Sequence, residues 1–114
     1  MRKILLLVIA CISLFAVGCG SKKEKSDLDK LLAQKEYIIV DVRTKEEYNI
    51  SHVKDAINIP YDMIDENIEL DKNKNIFVYC KSGNRSKIAY DNLTSLGYTV
   101  YDLGAFESID LPKE

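Results

Sequence analysis

The sequence predicts an α/β domain built on a mostly parallel sheet. Three short runs, YIIVDV (37–42), NIFVYC (75–80) and YTVYDL (98–103), are rich in β-branched and aromatic residues. The first two lack polar alternation through most of their length, the pattern of strands buried on both faces. Segments with helical spacing lie between the runs, and that alternation implies crossovers between parallel strands.

From the amino end, MRKILLLVIACISLFAVGCG opens with Arg2 and Lys3, continues as an apolar run from Ile4 to about Val17, and closes on small residues before Cys19. The run is shorter than the ~20 apolar residues of a comfortable membrane span. Its layout is that of an export signal, expected over residues 1–18. AVGC resembles the processing box of bacterial lipoproteins, which would make Cys19 the lipidated amino terminus, although Ala16 stands where Leu is more usual. An ordinary secretory signal cut nearby is the alternative. The expected location is the cell envelope, lipid-anchored and extracytoplasmic. With Cys19, the polar stretch GSKKEKSD (20–27) reads as a flexible tether over 19–27, followed by a domain over 28–114.

Within that domain, SDLDKLLAQK predicts a helix capped by Ser26, with Leu28, Leu31 and Leu32 on one face. TKEEYNI follows the first strand, and Thr44 with Glu47 forms a capping-box pattern. AINIP (56–60) predicts a short strand stopped by Pro60, and YDMIDENIEL (61–70) a short helix. RSKIAYDNLTSLG (85–97) places Ile88, Ala89, Leu93 and Leu96 at helical spacing and ends on Gly97 as a carboxyl cap.

The chain has 114 residues, room for one domain, and a net charge of −2 with signs interspersed. That balance leaves no basic footprint for nucleic acid. Cys11 leaves with the signal and Cys19 carries lipid, so Cys80 is the one thiol expected in the mature domain. A lone exported thiol is a candidate reactive group.

Cys80 ends the NIFVYC strand and opens the loop CKSGNRS. In open α/β sheets, sites form outside the carboxyl ends of strands. Gly83 permits a tight turn, a helix starts at about Asn84 or Arg85, and inward N–H groups make an anion nest. Lys81 and Arg85 add positive charge, while Ser82, Asn84 and Ser86 supply loop backbone and caps. This setting lowers the pKa of a thiol from about 8.5 and so favours the nucleophilic thiolate. The bland alternative is an inert cysteine closing a strand. Asp41 and Arg43 end a neighbouring strand, either as a structural ion pair or as a source of positive field at the same rim.

CKSGNRS resembles the active-site loop of rhodanese-homology domains. IIVDVRTKEEYNISHVKDAINIPY (38–61) and LTSLGYTVYDLGAFESI (93–109) resemble other segments of that family, in the same order. The resemblance implies a compact rhodanese-like α/β domain whose central sheet has four or five strands, flanked by helices on both faces. It departs at Ser51, where Gly is usual, at Lys54 and Asp55, where Pro-Gly is usual, and at Ala105, where a second Gly is usual. What it implies chemically is sulfur transfer through a Cys80 persulfide, from a small anionic donor such as thiosulfate to a thiophilic acceptor such as cyanide or a thiol. Lys81, Ser82, Gly83, Asn84, Arg85 and Ser86 would bind substrate, with Asp41 and Arg43 in support. No cofactor or metal is needed, and the expected state is a monomer. The family pattern places His52, the only histidine, in a structural turn rather than beside Cys80 as a base.

Two other functions remain open. A non-catalytic or sulfur-carrying module for sensing or binding is one. A cysteine-based phosphatase or arsenate reductase is the other, and its loops resemble Cys-x5-Arg. Cys80 and Arg85 instead form Cys-x4-Arg, a ring better sized for one sulfur than for a tetrahedral oxyanion.

Overall fold

The computed structural model describes residues 23–114, so the expected signal segment and Cys19 lie outside the described residues. The described residues fall into two units, 23–34 and 35–114. In the first, α1 (Lys23–Gln34) begins upstream of Ser26, so Ser26 lies inside the helix rather than at its cap. The part of the expected tether from Lys23 to Asp27 is therefore helical, and its Lys and Glu residues are good helix formers.

The second unit holds β1 (Tyr37–Asp41), α2 (Lys45–Ile50), β2 (Ile57–Asn58), β3 (Asn75–Cys80), α3 (Asn84–Ser95) and β4 (Thr99–Ala105). Four strands form one sheet in the order β2-β1-β3-β4. Every pairing is parallel. Register sets Asp41 beside Tyr79 and Cys80 beside Ala105, so the carboxyl ends of β1, β3 and β4 share one rim. The chain leaves β1 toward β2 on one side and returns to β3 on the other. That reversal makes the β1–β3 junction the switch point where such sheets place their sites.

All six residues of β3 are buried, as its unbroken apolar run requires. Strand alternation sends Ile76, Val78 and Cys80 to one face, where they join Val40, Val42, Ala89 and Leu93 in the core. Phe77 and Tyr79 point to the other face. There Phe77 stacks on Tyr101 with centroids 5.1 Å apart, and Tyr79 on Phe106 at 5.7 Å.

The caps of α2 and α3 follow their sequences. Thr44 and Glu47 form the reciprocal capping box at α2. At the end of α3, Tyr98 N–H bonds Leu93 O at 3.1 Å and Gly97 N–H bonds Thr94 O at 3.0 Å, a Schellman motif. One position on α3 departs from expectation. Ser86, Ala89 and Leu93 are its buried residues, whereas Ile88 is 46% exposed. The face toward the sheet runs through 86, 89 and 93, and Ile88 lies one residue off that stripe.

The helix expected over 61–70 is also corrected. Only Tyr61–Met63 forms a single 3-10 turn, and the rest is irregular. Asp65 accepts from Asn67 N–H at 2.9 Å and Asp71 from Asn73 N–H at 2.8 Å. These local bonds satisfy backbone donors without a helix. Ile64, Ile68 and Leu70 still pack on the core.

Asp55 has a φ of 69°, the only positive value at a non-glycine among the described residues. It occupies the position where the resembled family has Gly. Asp55→Gly should raise stability by about 0.5–1 kcal/mol, because relief of left-handed strain exceeds the entropic cost of glycine. Urea unfolding checks this, and an unchanged or lower midpoint would contradict the strain argument.

Candidate active site

β3 delivers Cys80 to the rim, and the chain turns at once because Gly83 adopts φ 102°. A β-carbon in that conformation is strained, so the turn depends on glycine. The turn swings Gly83 N–H back onto Cys80 Sγ at 2.9 Å. α3 begins at the next residue, and the Ser86 N–H in its first turn is directed at the sulfur.

Burial pushes the Cys80 thiol up, and the N–H and O–H of Ser86 with the N–H groups of Gly83 and Ser82 outweigh it. The net result is a thiol held below its ordinary value. The Ser86 hydroxyl has two acceptors within reach, Gly83 O at 3.1 Å and the sulfur. Cys80 is the free cysteine of the described residues, and its side chain is fully buried. Sequence reasoning placed Cys80, Gly83 and Ser86 at one point, and the structure brings them together.

The cations of the loop divide. Lys81 is exposed and lines a pocket of about 300 Å³ together with Arg43, Glu47, Ile50, Ser51, Phe106 and Glu107. Arg85 does not line it. Its Nη1 donates to Glu47 Oε1 at 2.8 Å and its Nη2 to Oε2 at 3.2 Å. That fork, aided by the Thr44 donors, holds the Glu47 carboxyl down at about 2. Glu47 was legible in the sequence only as a cap residue. Its pairing with a loop 38 positions away had no local signal.

Asp41 and Arg43 form a buried ion pair on the sheet face opposite Cys80. Arg43 Nε donates to Asp41 Oδ1 at 2.9 Å and Nη2 to Oδ2 at 2.6 Å. Nη2 also donates to Ser51 O at 2.6 Å, and the guanidinium lies 4.4 Å from the Phe106 ring centre. Tyr79 hydroxyl donates to Asp41 Oδ2 at 2.8 Å and accepts from Val53 N–H at 3.0 Å. The pair thus ties β1 and β3 to the loop before β2, and Arg43 also forms part of the pocket wall. His52 serves the turn: its ring stacks on Tyr48 at 3.8 Å, and Nδ1 donates to Tyr48 O at 2.9 Å.

A cysteine held by N–H donors at the switch point of a parallel sheet places the domain in a class: α/β domains with a cysteine in an anion-favouring loop at a strand end. Residues 24–109 match the family profile of the rhodanese-like domain, and the chain belongs to that family. It is 41% identical over 78 residues to the thiosulfate sulfurtransferase PspE of Escherichia coli, covering 65% of this chain and 75% of that one. It is 37% identical over 93 residues to the adenylyltransferase and sulfurtransferase uba4 of Ogataea parapolymorpha, covering 74% of this chain and 24% of that protein. The chain therefore spans about a quarter of the yeast protein's length. Among solved structures, a rhodanese with anions from Escherichia coli aligns with TM-score 0.62 and 34% identity, covering 68% of this chain and 96% of that one.

Proposed function

We propose that the protein is a sulfurtransferase that carries sulfane sulfur as a Cys80 persulfide. The observation that carries this is the 2.9 Å bond from Gly83 N–H to Cys80 Sγ, with the N–H groups of Ser82 and Ser86 directed at the same sulfur. In the first step the thiolate attacks the outer sulfur of thiosulfate. The S–S bond of the donor breaks, sulfite leaves with the bonding pair, and Cys80 becomes a persulfide anion. In the second step cyanide or a thiolate attacks the terminal sulfur, giving thiocyanate or a new persulfide and restoring the Cys80 thiolate. The loop N–H groups stabilise the sulfur anion in both states without rearrangement. Neither step needs a proton relay, and the His52 ring is engaged by Tyr48 and Glu114.

Intact-mass analysis tests the reading. Thiosulfate should add one sulfur atom to the protein, and cyanide should remove it as thiocyanate. Failure of thiosulfate, methanethiosulfonate and organic persulfides alike to add sulfur would refute it. The complete burial of Cys80 favours a second reading within the same chemistry, a module that holds sulfur for a partner and turns over slowly. A persulfide that outlasts cyanide treatment would select that reading. The Cys-x4-Arg spacing argues against phosphate ester hydrolysis, because the ring of donors closes on a single sulfur atom. The lipoprotein-like AVGC pattern supports placing this chemistry at the cell envelope, anchored through Cys19. Recovery of the protein in the soluble fraction of cells would exclude that placement.

A further inference from the structure

The loop sequence offers Arg85 as an anion receptor, but its guanidinium fork is already filled. Glu47 accepts from both Nη1 and Nη2 in the geometry that a sulfonate or sulfate would use. Glu47 also lines the pocket that adjoins the loop at Lys81, whereas Arg85 does not. A ligand entering from this pocket meets a carboxylate where the sequence places a guanidinium. The remaining charges give little relief. With Glu47 committed to Arg85 and Arg43 to Asp41, the wall leaves Lys81 set against Glu107.

We infer that Glu47 is a specificity-determining residue: it occupies the anion fork of Arg85 and selects against doubly charged sulfur donors, leaving singly charged or neutral donors as better substrates. This deepens the sulfurtransferase reading and rests on it. Repulsion scales with donor charge, so a dianion loses twice as much interaction free energy as a monoanion at the same distance. The chemistry is unchanged across such donors. Methanethiosulfonate, a monoanion, yields its outer sulfur to the Cys80 thiolate and leaves as methanesulfinate with the bonding pair, as thiosulfate leaves as sulfite.

Glu47→Gln isolates the charge. Glutamine keeps the capping-box pattern with Thr44 and retains an oxygen to accept from Arg85. The rate constant for persulfide formation, measured in single turnovers under limiting donor, should rise about tenfold for thiosulfate and about threefold for methanethiosulfonate. The preference between donors therefore shifts by about threefold. Sulfate provides a probe independent of turnover. Titrated at constant ionic strength and followed through the Gly83 and Arg85 amide resonances, it should bind the variant about tenfold more tightly than the parent protein.

An unchanged donor ratio with unchanged sulfate affinity would overturn the inference, while persulfide formation by both proteins would leave the sulfurtransferase reading standing. Equal loss of activity toward both donors, with a lowered melting temperature and no tighter sulfate binding, would assign Glu47 to structure alone. If neither protein accepts sulfur from either donor, the sulfate titration by itself decides the role of Glu47.

Discussion

Cys80→Ser should abolish persulfide formation and lower thiocyanate production by about a thousandfold or more, the scale of nucleophile removal in covalent catalysis. A serine hydroxyl is not ionised at neutral pH, so it cannot attack the donor sulfur. The fold should survive. The serine oxygen can accept the Gly83 N–H that now reaches Cys80 Sγ at 2.9 Å, so the change in stability should stay within about 1 kcal/mol. In the parent protein, the pH profile of Cys80 alkylation should have its midpoint below that of an ordinary cysteine, about 8.5. The sign follows from the site: N–H and O–H donors favour the thiolate more than burial disfavours it. A midpoint at or above the ordinary value, or a serine variant with full thiocyanate output, would remove Cys80 from its assigned role.

Asp41→Ala should cost about 3–5 kcal/mol, the loss expected when one partner of a buried ion pair is removed. Asp41 is fully buried and Arg43 only 6% exposed, so the substitution strands a guanidinium with little water to solvate it. It also removes the acceptor of the Tyr79 hydroxyl, which holds Val53 N–H. A small domain has about 5–15 kcal/mol in total, so the variant should show a much lower urea midpoint. Replacing both partners, Asp41→Ala with Arg43→Met, should cost less than the single change, because no charge is then left unpaired. A single variant as stable as the parent would mean that water reaches the pair and that the coupling of β1 to β3 lies elsewhere.

Much of the fold was legible because its signals are local. β3 reads as buried on both faces from NIFVYC alone, since continuous apolar character suits a strand covered twice. The capping box at Thr44 and Glu47 and the Schellman cap at Gly97 each involve residues a few positions apart. Segment 61–70 failed for a local reason too: a helix was expected, but the Asp65 side chain captures the backbone N–H of Asn67. Ile88 failed because spacing defines a stripe only to within a residue, and contact with the sheet decides which residue leads it.

The sequence alone was enough to place a cysteine at a strand end, to give its loop a glycine turn, and to set the spacing to Arg85. Those features depend on neighbours in the chain, where backbone geometry leaves few choices. Only the tertiary structure decided what Arg85 does. Its pairing with Glu47 arises because parallel β1 and β3 lie side by side, which brings the helix after one strand to the loop after the other. The same juxtaposition buries Asp41 and Arg43 beside Tyr79 and sets the charge of the pocket wall. Charge along a chain can be counted residue by residue, but the field at a site depends on which charges cancel, and that depends on distances that only the folded sheet supplies.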